Sequence, residues 1–183
     1  TFAHANGSHL PFPNESFVTI LSHAVIEHVS DYEGYLREAR RVMRPDGRMF
    51  LQTAPYLSPH GSHLPRLKVP IPLHLVIGRR TAFAASRWIA THQPTWLEAP
   101  PDGSSFLTMA RRGEIKDDDL LYHVTVRNLR RAIADAGFHL IKEDLYVSKI
   151  AKRLFPKTIT RLLPDMPFMR DILITNMEYV LAA

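Results

Sequence analysis

Between residues 17 and 55 the chain changes its hydrophobic rhythm twice. "FVTILS" (17–22) is short and almost continuously apolar, the pattern of a strand covered on both faces. After Ser30 the period lengthens. Tyr32, Leu36, Ala39 and Met43 recur at helical spacing, Tyr35 and Val42 widen the stripe, and Arg37, Glu38, Arg40 and Arg41 occupy the other face. Ser30 and Glu33 have the spacing of a capping box. "RPDG" (44–47) predicts the end of the helix and a tight turn, because Pro45 disfavours helix at Arg44 and Gly47 permits the turn. "RMFLQTAP" (48–55) then reads as a second strand. Strand, helix and strand in this order predict a right-handed βαβ unit in a parallel sheet, hence an α/β fold.

The same reading extends to the end of the chain. "TVRNLRRAIADAGF" (125–138) places Leu129, Ala132, Ile133 and Ala136 on one helical stripe, with Gly137 as its stop. "HLIKEDLYVS" (139–148) and "ILITNMEYVLAA" (172–183) are strand-like, and the basic, proline-punctuated span 149–167 between them is expected to hold a short helix. Residues 56–122 differ. They are rich in proline and histidine, contain both tryptophans, and give one clear helix, "RTAFAASRWIATH" (80–92). So long a connection inside one domain reads as a substrate-side insert or lid.

Composition narrows the function classes. The chain has 183 residues, enough for one domain with its own core. It contains no cysteine, which removes disulfides, thiolate nucleophiles and thiolate metal sites and fits a reducing, cytoplasmic setting. No apolar run has the length of a membrane span, and no signal-peptide pattern opens the sequence. The net charge is +5, with arginines spread over helices rather than interleaved with aromatics, so no nucleic-acid partner is expected.

The chemistry gathers at two strand ends. In an open parallel sheet, ligands bind beyond the carboxyl ends of the strands. Ser22 to His28 follow the first strand and Gln52 to Tyr56 the second, bringing hydroxyl, imidazole, carboxylate and amide groups to one edge. The competing explanation is that these groups only order the loops and cap the next helix.

In order and spacing, "NGSHLPFPNESF", "IEHV", "VMRPDG" and "RMFLQTAP" resemble the middle of a class I S-adenosylmethionine-dependent methyltransferase of the broad type 11 group. "NLRRAIADAGFHLIKED" and "NMEYVLAA" resemble that family's last helix, sixth strand and closing antiparallel strand, so the likeness covers residues 5–56 and 123–183. The resemblance implies a Rossmann-like methyltransferase fold with a mostly helical or irregular insert, S-adenosylmethionine as cofactor, and residues 1–183 as part of a methyltransferase domain. It also implies that the family's glycine-rich cofactor turn and ribose-binding acid precede Thr1, in two βα units of roughly 60 residues or more.

Residue by residue, the resemblance puts Asn6 where the family has an aspartate near the adenine amino group, and Gly7 and Ser8 beside the ring. Ser22 and His23 would border the methionine portion, and Leu10 and Phe12 belong to the core. Glu27 and His28 match the family's "EH" pair, to be read either as part of the site or as ordering the strand-to-helix loop. Ala24 stands where related quinone-pathway enzymes carry a metal-binding glutamate, and His60, His63, His74 and His92 lack zinc-site spacing, so no metal is expected. If the acceptor needs a general base, His23, His28 and His60 are the candidates.

The acceptor is expected to be a small molecule or a glycan-linked group, methylated at oxygen, because "YLSPHGSHL" (56–64) resembles segments of methyltransferases found with polysaccharide assembly. Residues 64–78, apolar and basic together, suggest a lid packed onto the domain or else contact with a lipid-linked substrate or a membrane surface. The alternative is a non-catalytic, partner-dependent remnant of such a domain. A Rossmann-like dehydrogenase is a weaker reading: no G-x-G-x-x-G occurs, and the LPF, EHV, RPDG series favours methyl transfer.

Overall fold

The computed structural model describes residues 4–58, 73–93 and 124–183. Its elements are β1 (Phe17–His23), α1 (Tyr32–Val42), β2 (Met43–Thr53), α2 (Leu73–Val76), α3 (Arg79–His92), α4 (Val126–Asp135), β3 (His139–Val147), α5 (Lys149–Leu154), α6 (Lys157–Leu162), α7 (Met169–Leu173) and β4 (Ile174–Ala182). Single 3-10 turns occupy Ile26–His28 and Leu163–Asp165. Among the described residues the strands form one sheet in the order β1-β2-β4-β3, with β1 and β2 parallel and β4 antiparallel to both neighbours.

One face of this sheet carries the core. Met49 and Leu51 of β2 and Met177, Tyr179 and Leu181 of β4 are buried at alternate positions, as a strand's two-residue period requires. Leu36 and Ala39 of α1 and Leu129, Ala132 and Ile133 of α4 pack against them. These are the expected stripes, except that Ala136 is only half-buried and Met43 belongs to β2. The helix α4 begins at Thr125, whose side chain accepts from Asn128 N, and stops before Gly137, which has φ +81°.

The structure departs from the sequence reading in several places. The first strand, expected to be covered on both faces, has Phe17, Val18, Thr19, Leu21 and His23 exposed, because it lies at the sheet edge among the described residues. Asp31 caps α1, accepting from Gly34 N at 2.8 Å, so the capping box of Ser30 and Glu33 does not form. "RPDG" does not separate helix from strand: β2 starts at Met43, which pairs with Phe17, and the register then jumps so that Thr19 pairs with Arg48. The four residues form an irregularity within the strand. Gly47 is pressed against its neighbour there, since a Cβ would lie 2.9 Å from Val18 O. Finally, the basic span after β3 holds two short helices, α5 and α6, instead of one.

Leu10 and Phe12, expected in the core, are half-buried. Polar bonds hold their segment down. The Arg41 guanidinium donates to Leu10 O, Phe12 O and Asn14 Oδ1 at 3.1, 2.9 and 2.8 Å, and Glu38 accepts from Leu10 N at 3.0 Å while paired with Arg41. Phe12 also meets Phe17 edge-on, with ring centroids 4.9 Å apart. Of the expected insert at 56–122, residues 59–72 and 94–122 lie outside the described residues; α3 matches its expected helix to within one residue.

Candidate functional site

Three pieces meet at the carboxyl end of β1. The first is a tight turn at residues 6–9, closed by His9 N donating to Asn6 O at 2.9 Å and Ser8 N donating to Asn6 Oδ1 at 3.0 Å. Ser8 Oγ donates to Asp31 O at 3.2 Å and so fastens the turn to the start of α1. The second piece is Tyr35 of α1, whose ring lies over Gly7; a Cβ at that position would come within 2.6 Å of Tyr35 Cδ2. The third is Ser22, whose Oγ accepts from the Tyr35 hydroxyl at 2.9 Å. One side chain therefore joins the turn to the strand end.

The electrostatics keep Tyr35 a donor. Burial raises its pKa, the bond to Ser22 works against that rise, and the nearby negative charge of Glu27 adds to it. Glu27 is itself buried and accepts from Thr53 Oγ1 at 2.7 Å, which ties the loop after β1 to the end of β2. Ala24 N donates to Gln52 O at 3.0 Å and continues the pairing one residue past β1, where Ala24 turns the chain at φ +52°.

Gln52 opens a second polar row. Its Nε2 donates to Asn176 Oδ1, Asn176 Nδ2 donates to Glu178 Oε1 at 3.1 Å, and the Tyr146 hydroxyl donates to Glu178 Oε2 at 2.9 Å. The bond to Glu178 raises the Tyr146 pKa. Among the described residues Gln52 Oε1 and Ser58 Oγ are buried without a hydrogen-bond partner.

The structure sorts the sequence candidates. Asn6 is exposed, and Gly7 and Ser8 are half-buried in the same turn. Asn6 Oδ1 spends one lone pair on Ser8 N and has a second. His23 is exposed at the end of β1, opposite Gln52. Ser22 is 1% exposed and turned onto Tyr35, so it supports the edge from behind instead of lining it. His28 is half-buried in the 3-10 turn, five residues beyond His23, and His60 lies outside the described residues. Tyr35 escaped the sequence reading, whereas Thr53 lies in the strand end Gln52 to Tyr56 that it marked. A signal existed for Tyr35: a half-buried phenol needs a partner, and the strand-end serine is the nearest hydroxyl in the pattern.

The edge thus offers a backbone turn and a free amide lone pair, and His23 stands exposed at the adjoining strand end. Comparisons with known proteins bear on the fold. Residues 1–51 match the model of a methyltransferase domain family, Methyltransf_11. An uncharacterized methyltransferase of Mycolicibacterium vanbaalenii is 38% identical over 82 residues, which are 45% of this chain and 30% of that protein. The matched stretch thus spans less than a third of that relative's length. Among solved structures, an S-adenosylmethionine dependent methyltransferase from Mesorhizobium loti superposes with a TM-score of 0.54 at 16% identity, covering 100% of this chain and 69% of that one. The resemblance to class I methyltransferases is borne out, and the fold is theirs.

Proposed function

We propose that this chain, which carries part of a class I S-adenosylmethionine-dependent methyltransferase fold, serves methyl transfer to a small-molecule or glycan-linked hydroxyl in the cytoplasm. The observation that supports this reading most directly is the junction through Tyr35, which sets the Asn6–Ser8 turn beside the strand end that carries His23. Asn6, through its remaining amide lone pair, and the backbone of Gly7 and Ser8 would hold the adenosine portion. Bound there, S-adenosylmethionine would supply a methyl group on an electrophilic sulfonium. His23, exposed at the end of β1, would take the proton from an acceptor hydroxyl, with His28 the second candidate. Tyr35 and Ser22 would hold the geometry.

The test uses the natural protein. Asn6→Ala is expected to weaken S-adenosylhomocysteine binding several-fold by calorimetry, and His23→Ala to lower the transfer rate about a hundredfold with cofactor affinity unchanged. Equal rates in the His23→Ala and His28→Ala variants and the parent would remove the base. No binding of S-adenosylhomocysteine by the natural protein would remove the enzyme reading altogether. A second reading, a non-catalytic domain that depends on a partner, draws on the exposed outer edge of β1, where Leu21 is 76% exposed.

A further inference from the structure

Residues 149–170 hold Lys149, Lys152, Arg153, Lys157, Arg161 and Arg170 against the single acid Asp165, a local excess of five positive charges. Among the described residues none of the first five cations is in an ion pair.

The same stretch displays its apolar side chains to water. Leu154 is 71% exposed, Ile159 39%, Leu162 58% and Phe168 67%. The helix α6 buries none of its residues. Ile159 and Leu162, three residues apart, share a face of it. Six residues are far fewer than the roughly 12–15 an isolated helix needs in water, so α6 lacks both length and burial to hold it. Phe168 adds backbone strain. It has φ +68° and ψ −55°, and Met169 N donates to Pro167 O at 2.8 Å across it. That is a γ-turn of the rare positive-φ kind, an outlier for a bulky residue, and strain of this sort gathers at functional positions.

We propose that residues 149–170 form a docking surface for an anionic lipid bilayer, lying on it rather than crossing it. The five free cations would face the headgroups, and Leu154, Ile159, Leu162 and Phe168 would enter the interface. Charge complementarity favours this occupant, with the exposed apolar side chains spread over successive short helices and a turn. One exposed phenylalanine gives no stacking platform for the bases of a nucleic acid. The membrane contact expected at residues 64–78 has only residues 73–78 within the described part, and these include no lysine or arginine. The inference does not depend on the methyl-transfer reading.

Sedimentation of the chain with phospholipid vesicles tests it, comparing phosphatidylcholine alone with phosphatidylcholine carrying about a third phosphatidylglycerol. Binding is expected only to the anionic vesicles and should fall as salt is raised. Lys152→Ala together with Arg153→Ala should lower partitioning about 25-fold, roughly fivefold for each cation removed. Leu162→Ser with Phe168→Ser should lower it at least about tenfold. Circular dichroism of these surface variants should match the parent. Failure to sediment with either vesicle, equal binding to neutral vesicles, or unchanged binding in both variants would overturn the proposal.

Discussion

Tyr35 carries two loads, its ring against Gly7 and its hydroxyl on Ser22, and substitutions can separate them. Tyr35→Phe keeps the ring and strips a buried serine of its donor, which should cost about 1–2 kcal/mol in urea unfolding. Gly7→Ala pushes a methyl group to 2.6 Å from the ring, so the turn must lift. Faster hydrogen exchange at the Ser8 amide is expected in Gly7→Ala and not in Tyr35→Phe. Equal exchange in the two variants would mean the ring does not hold the turn. Glu38 gives a pH signature on the same segment. Its bonds from Arg41, then from Leu10 N, hold its carboxyl at about 2 against an ordinary 4.5. A carboxylate depressed in the native state adds stability that is complete above the unfolded value and is lost as pH falls through the folded one. Unfolding of the parent should therefore weaken between about pH 4.5 and 2 by an amount that Glu38→Gln lacks, on the order of 1 kcal/mol for a partly screened pair.

At the scale of elements, α4 depends on a distant carboxylate. Asp171 is buried and accepts from Val126 N at 2.6 Å, filling one of the donors that open the helix. Asp171→Ala should leave that donor unpaired and cost about 1–3 kcal/mol, while Thr125→Ala, which removes the local cap, should cost about 1 kcal/mol. Thermal unfolding of both variants checks the order. If Thr125→Ala costs more, Asp171 is not the main support. The contrast between the two caps shows what the sequence can tell. Thr125 is adjacent to its helix and readable; Asp171 is 45 residues from its donor, and nothing local points to it. The stripes of α1 and α4 were legible because burial selects apolar residues at a fixed period. "RPDG" misled because turn chemistry is local, whereas the pairing of Met43 with Phe17 is decided by the neighbouring strand. The candidate site divides the same way. Asn6, Gly7, Ser8 and His23 were named through the family resemblance, but the inward turn of Ser22 depends on where α1 packs.

For the molecule as a whole, the sheet order leaves β1 at an edge with no strand beyond it among the described residues. That edge is apolar: Phe17 is 37% exposed, Val18 50% and Leu21 76%, and Phe50 on the neighbouring strand is 43% exposed. Unpaired strand groups beside exposed apolar side chains form a template for another copy, and no lysine or proline within β1 blunts it. Residues 1–183 are therefore expected to self-associate, with a sedimentation coefficient that rises across the micromolar range. Thr19→Lys with Leu21→Lys places charge on the exposed face of the edge, opposite the face that carries Ile20 and the buried Ser22. That variant should sediment as one slow species over the same range while unfolding at the parent's midpoint. If the parent already sediments as one species, β1 offers no free edge. If the variant associates as the parent does, the contact lies elsewhere on the molecule, with the 149–170 surface the next to substitute.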